Sequence, residues 1–321
     1  MRRLTLRILS SFLLLWLVMT AVFFTVHLAP GDPTQIFFQP GISPEVREQL
    51  RVAYGLDRPL HIQYLQWLSS FVRGDFGMSY EHRRPVVSLI AETLPRTLAL
   101  GGTALIIDFA LGILLGILSA IQRNRWPDKI ISSVSFVLYA VPGFWLGLMA
   151  LLLFAYIVPI FPPSHMHRPG FQTLPLAAQV LDFLYHLVLP ALILGISGAA
   201  ATNRFMRQSM LETLAQPFIK TAKAKGLSRK RIIFRHALPN AILPMITLAG
   251  MALPFLVSGS LIIEVIFSWP GMGRLTYGAM MYRDYPLIIG TTFVAAVMVI
   301  IGNLLADLLY AVADPRVRHA N

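Results

Sequence analysis

The chain has 321 residues, 56% of them hydrophobic and 13% charged, with a mean hydropathy of +0.65, which excludes an ordinary soluble domain. Cysteine is absent, so disulfides, thiolate metal sites and cysteine nucleophiles are excluded. The net charge of +12 suits either nucleic acid or the cytoplasmic side of a membrane protein, and the placement of the basic residues decides between them.

Residues 1–7 carry Arg2, Arg3 and Arg7 ahead of an apolar run over 8–28. The run is long enough to span a bilayer and lacks a small-x-small cleavage pattern, so it reads as an uncleaved first span entered from the cytoplasm. Leu28-Ala29-Pro30-Gly31-Asp32-Pro33 stops it with a turn. Residues 29–96 are predicted to form an extracytoplasmic segment with short amphipathic helices. Ser43-Pro44-Glu45 opens the first, which ends near Gly55. Leu60, Tyr64, Leu65, Leu68 and Phe71 follow helical spacing and place a second on the membrane surface or against the spans.

A second span is predicted over 97–121, closed by Arg123, Asn124, Arg125 and Pro127. The third, over 130–157, contains Val141-Pro142-Gly143, read as a proline kink whose freed backbone groups neighbouring helices must satisfy. A short outer loop over 159–186 leads to a fourth span over 187–205. Pro244, Gly250, Pro254 and Gly259 predict a kinked or broken fifth span over 241–263. From Glu264 to Tyr285 the chain returns outside, and Phe267 to Arg274 reads as an interfacial aromatic element with a tight Pro-Gly turn. A sixth span over 287–310 closes on a cytoplasmic tail, 311–321, containing Asp314-Pro315-Arg316-Val317-Arg318. With this layout seventeen Lys and Arg lie on inner segments and three on the two short outer loops. The predicted fold is therefore all-α and polytopic, with six transmembrane helices and both termini cytoplasmic.

Between the fourth and fifth spans lies Gln216 to Pro239, QPFIKTAKAKGLSRKRIIFRHALP, with seven basic residues and no acid. Pro217 suits a first helical turn, Gly226 ends that helix, and Ser228 caps a second one running to about His236. The two short helices make a rigid knob for a soluble partner. A DNA-binding helix-turn-helix shares this spacing, but its second helix must be free to enter a groove, and here both ends run into the bilayer. Attraction to anionic lipid accounts for the charge but for neither Gly226 nor the paired helices.

Gly226, nine residues, then His236-Ala237-Leu238-Pro239 resembles the EAA loop of ABC importer permeases, E-A-A-x3-G-x9-I-x-L-P, here within a coupling loop over about 207–240. Lys220-Thr221-Ala222 stand at the E-A-A positions and His236 at the Ile position, so the acid is lost while Ala222, Gly226, Leu238 and Pro239 are kept. LAPGDP, Phe267-Ser268-Trp269-Pro270-Gly271-Met272-Gly273-Arg274, Arg283-Asp284-Tyr285-Pro286 and the terminal DPRVR are similar to motifs of the dipeptide, oligopeptide and nickel branch. The resemblance runs from the first span to the tail and implies a permease core over 97–310 in a bacterial cytoplasmic (inner) membrane. It implies a second permease as heterodimer partner, two cytoplasmic ABC ATPase subunits and an extracytoplasmic substrate-binding protein. It also implies an ATPase-coupling surface at Lys220, Thr221, Ala222, Lys225, Gly226, Leu227, Ser228, Arg229, His236, Leu238 and Pro239, with Ala222 and Leu227 packing into the ATPase cleft.

No catalytic constellation and no Walker A string is present. The chain is read as a non-enzyme binding no cofactor and no nucleic acid, with ATP and Mg used by its partners. His165 and His167 are a weak metal candidate, having no nearby acid in sequence. Asp108 stands deep in the second span, where an ionisable residue needs a partner. Ser260 and Asn303 are the candidates, and all three are assigned to the translocation path. The expected cargo is di- or oligopeptides, with nickel or another small solute as the alternative. A secondary transporter calls for an internal repeat and a channel for a selectivity loop; neither is evident.

Overall fold

The computed structural model describes residues 2–29, 44–53, 55–252, 256 and 261–313. The predicted turn at 30–33, Ser43, Pro254, Gly259, Ser260 and the tail motif at 314–318 lie outside the described residues. The described chain is helical, with one isolated bridge from Met78 to Pro85 and no strand among the described residues. In order the helices are α1 (Arg2–Leu28), α2 (Pro44–Ala53), α3 (Leu60–Val72), α4 (Val86–Ile121), α5 (Trp126–Ala140) and α6 (Gly143–Ile157). There follow α7 (Leu176–Leu214), α8 (Pro217–Ala224), α9 (Arg229–Ala241), α10 (Leu243–Ala252), α11 (Leu261–Ile266), α12 (Met272–Met281) and α13 (Tyr285–Ala313).

Four of these, α1, α4, α7 and α13, are each long and apolar enough to cross a membrane. The pairs α5–α6 and α9–α10 pass the same test jointly but are bent by 99° and 44°. Between Ala140 and Gly143 the expected kink is thus nearly a right angle. Val141 turns extended (φ −81°, ψ 129°) ahead of Pro142, as a pre-proline residue must when its α region is blocked.

Two helices are longer than their apolar runs suggest. α4 begins at Val86 rather than near Thr97, and α7 covers Leu176–Leu214 rather than 187–205. Charged residues on the added turns are paired, so the helix continues past its apolar part. Glu92 accepts from Arg84 at 3.2 Å and from Arg96, four residues on, at 3.1 Å. On α7, Asp182 faces His167 at 3.5 Å and His186 at 3.7 Å, and accepts from the Arg168 N–H at 3.2 Å.

The chain divides into two compact units, residues 1–96 with 270–300, and 97–269 with 301–321. In the first, α3 lays Leu60, Tyr64, Trp67 and Phe71 against Met19 and Phe23 of α1 and Ile289 and Phe293 of α13. Their spacing is a helical stripe, as expected, but Trp67 belongs to it and Leu65 does not, being 62% exposed. Asp284 is fully buried and caps α13 by accepting the Leu287 N–H at 3.2 Å. Its other oxygen accepts from the Ser79 hydroxyl and, at 3.1 Å, from the Glu81 N–H.

The second unit is held by close approach of α4 and α7. A Cβ on Gly112 would stand 2.5 Å from the Thr202 Cβ, and one on Gly116 2.6 Å from the Met206 Cβ. Small residues at i and i+4 let helix backbones pack where lipid offers no hydrophobic drive between them. Phe267 and Trp269 correct the interfacial reading of their motif. Trp269 is fully buried among Leu100, Leu187 and Ala191, and Phe267 packs with Ala150, Leu189 and Ile263. Glu264, also fully buried, accepts from the Thr97 hydroxyl at 2.7 Å.

Candidate functional site

The helix pair α8–α9 follows α7 after only Ala215 and Gln216. Pro217 occupies the first turn of α8, where its missing N–H costs no hydrogen bond. Gly226 then takes φ +72°, and nothing stands within 4 Å of where its Cβ would be. Glycine is required there by backbone conformation, not by space. Ser228 caps α9 by accepting the Arg231 N–H at 3.4 Å.

The middle of α9, Ile232–Ala237, is a π-helix, which the sequence reading missed. Pro239 explains it: a proline has no N–H to give and its ring crowds the carbonyl four residues earlier, at Arg235. A wider turn accommodates both. The other π-helical stretch, Leu152–Ile157, likewise precedes a proline, Pro159.

The apolar side of the pair faces inward. Ile219, Ala222, Ile232, Ile233 and Ala237 form one buried cluster with Ile117 and Ala120 of α4 and Met206 and Met210 of α7. Two polar ties add direction: Arg229 donates to the Ile121 carbonyl at 2.8 Å, and the Ser209 hydroxyl to the Ala241 carbonyl at 2.7 Å. Ala222 is therefore 6% exposed and packs into the protein's own core, not into a partner's cleft as the sequence reading expected. Leu227, His236 and Leu238 are half-buried. The outward face carries Lys220, Thr221, Lys223, Lys225, Lys230 and Arg231, with Pro239 also exposed. Phe218 and Phe234 stand among these charges at 42% and 54% exposure, and neither aromatic was singled out from the sequence.

The other candidates are scattered. Asp108 accepts from the Thr202 hydroxyl at 2.6 Å, across from Gly198. Its partner is thus on α7 and not Asn303, which is exposed on α13. His165 meets its neighbour Ser164 at 2.7 Å, while the His167 ring stacks on Phe171 at 3.6 Å. Among the described residues no three side chains are placed to hold a metal ion.

Residues 112–319 match the family described as binding-protein-dependent transport system inner membrane component, and residues 1–101 match its N-terminal companion. The chain belongs to this family. The permease is 40% identical over 298 residues to the oligopeptide transport system permease protein AppB of Bacillus subtilis, covering 92% of this chain and 93% of the relative. It is 39% identical over 311 residues to the dipeptide transport system permease protein DppB of Escherichia coli K12, covering 92% of each. The glutathione transport system permease protein GsiC of Escherichia coli K12 is 34% identical over 98% of this chain and 97% of its own length. Among solved structures, a chain of the inward-facing methionine ABC transporter MetNI superposes with a TM-score of 0.55 at 16% identity. That match covers 71% of the permease and 97% of the other chain, and it bears on the fold. The permease is a polytopic inner-membrane transport component with an ABC importer permease fold.

Sequence reasoning also passed over a charged pair in the permease, Asp128 at the start of α5 and Arg207 on α7, whose bidentate contact measures 2.8 and 2.9 Å. One signal was present: Asp128 is the lone acid between Arg123 and Lys129.

Proposed function

We propose that the permease carries di- or oligopeptides as one half of a heterodimeric path in an ABC importer, with six spans and both termini in the cytoplasm. The observation that carries the coupling is the cationic pair α8–α9, fixed by its apolar side to the ends of α4 and α7 with its charges turned outward. The names of the relatives AppB and DppB support the cargo. A binding protein delivers peptide from outside, and two cytoplasmic ATPase subunits supply ATP hydrolysis with Mg. The outward face of α8–α9, with Phe218 and Phe234 among lysines and arginines, seats in a groove on an ATPase. Closure of the ATPase pair then moves the two permeases between outward- and inward-open states. Lys220 at the position of the missing acid leaves docking to apolar contact and cationic charge.

The test is uptake of labelled peptides by vesicles holding the importer, with ATP hydrolysis measured in parallel. Gly226→Pro cannot adopt φ +72°, and Ala222→Trp displaces α8 from the buried cluster it shares with α9 and the ends of α4 and α7. Both variants are expected to insert and to lose peptide uptake while the ATPases still turn over. Normal uptake by either refutes the lever, and uptake driven by an ion gradient without ATP selects a secondary transporter instead.

A further inference from the structure

Asp128 is 3% exposed, and its carboxylate gathers donors from three helices. Oδ1 accepts from Arg207 Nε of α7 at 2.8 Å, from the Ser119 hydroxyl of α4, and from the Ser132 hydroxyl of α5 at 3.3 Å. Oδ2 accepts from Arg207 Nη2 at 2.9 Å and from the Asn124 N–H of the α4–α5 turn at 2.8 Å. Arg207 Nε also reaches the Ser119 hydroxyl at 3.2 Å. The ends of α4 and α5 are thus locked to α7 two turns before α7 gives way to α8.

A buried ion pair adds little stability over apolar residues of the same volume, because desolvation offsets the attraction. What it supplies is orientation: a forked guanidinium on a carboxylate fixes both distance and rotation. Elsewhere the contact of α4 with α7 is paved with small groups at Gly112, Gly116 and Gly195. Such a surface resists separation, and the directional bond it holds, from the Thr202 hydroxyl to Asp108 at 2.6 Å, lies away from the α8–α9 end of α4. The directional bonds at the α8–α9 end of α4 are the Asp128 cluster and the Arg229 tie to Ile121. The pair α8–α9 is therefore fastened to α4 twice, once through α7 and Asp128 and once through its own arginine.

We infer that the Asp128–Arg207 pair transmits displacement of α8–α9 to α4 and α5, making both positioning residues for transport. The inference rests on the coupling role proposed above for α8–α9. It predicts that weakening the pair leaves docking and ATP hydrolysis in place while less peptide moves per ATP.

The test uses the whole importer, isolated through a tag on this chain and reconstituted in proteoliposomes, with a mixture of radiolabelled di- and tripeptides as probe. Variants are Asp128→Asn, Arg207→Lys and the exchange Asp128→Arg with Arg207→Asp. For each single variant, copurified ATPase and its hydrolysis rate are expected to match wild type, while peptide carried per ATP falls about fivefold or more. The exchange is expected to restore part of that ratio. An unchanged ratio in the single variants overturns the inference. So does a parallel fall of uptake and hydrolysis, which assigns the pair to folding or assembly alone. If the wild-type preparation brings down no ATPase, the coupling reading itself falls, and that result is distinct from either.

Discussion

The aromatic nest around α3 and the seam between α4 and α7 solve the same problem in opposite ways. In the nest, Phe23 meets Tyr64 at 5.3 Å and Trp67 at 5.1 Å, and Phe71 meets Phe293 at 4.9 Å, so large rings span the gaps between helices. In the seam the gaps are closed by removing side chains, at Gly112, Gly116, Gly195 and Gly198. A polar pair then bonds across, Thr202 to Asp108, and beside it Asn203 of α7 donates to Ser135 of α5 at 2.7 Å. Rings that tilt past one another tolerate changes of volume, whereas backbones in near contact do not. The seam is also where the cationic helix pair is anchored, so the stricter packing lies in the region proposed to transmit force.

The largest expected effect is Gly112→Leu, which has no space opposite Thr202 and should cost about 3 kcal/mol. It is expected to deplete the folded monodisperse fraction in detergent, and a normal yield breaks the comparison. Asp284→Ala follows at about 2 kcal/mol, from a lost cap on α13 and two unpaired donors at Ser79 and Glu81. A lowered thermal unfolding midpoint would register it. Phe23→Leu in the nest should cost only about 1 kcal/mol. If it proves as damaging as Gly112→Leu, the two regions do not differ in tolerance.

The smallest effect sharpens the contrast through pH. Burial, with the nearby Asp284, holds the Glu81 carboxyl above its usual 4.5 despite the opposing pull of His82. The folded chain then keeps a proton that the unfolded chain has lost. Stability from this group is full below the ordinary carboxylate value and is lost as pH rises through the raised one. Glu81→Gln is expected to flatten that slope, and midpoints measured between about pH 4 and 7 will register the change. An identical slope in the variant removes Glu81 as its source.

Much of this was readable from residue order. Apolar runs located α1, α4, α7 and α13, and Pro217, Gly226 and Ser228 located the helix pair with its turn. What escaped was set by partners distant in sequence. Residues 86–96 and 176–186 read as lying outside the spans because residue order does not show Glu92 pairing with Arg84 and Arg96, or Asp182 with His167 and His186. Trp269 read as interfacial because nothing local places Leu100 and Leu187 around it. The Thr202 partner of Asp108 lies 94 positions away and was not among the candidates, of which Asn303 is exposed. Asp128 and Arg207, 79 positions apart, could not be matched by spacing at all. The glycines of Gly112-Ile113-Leu114-Leu115-Gly116 were legible as a small-xxx-small motif and were overlooked.

The wide turn at Ile232–Ala237 has one further consequence, for the length of the loop. Each residue added to or removed from a helix swings everything beyond it by about 100°. Ala237 and Ala241 reach the core only because the turn before them holds its surplus residue. A single deletion between Ser228 and Pro239 would therefore leave composition and charge nearly intact yet rotate one end of α9 against the other. The number of residues here is under as tight a constraint as their identity.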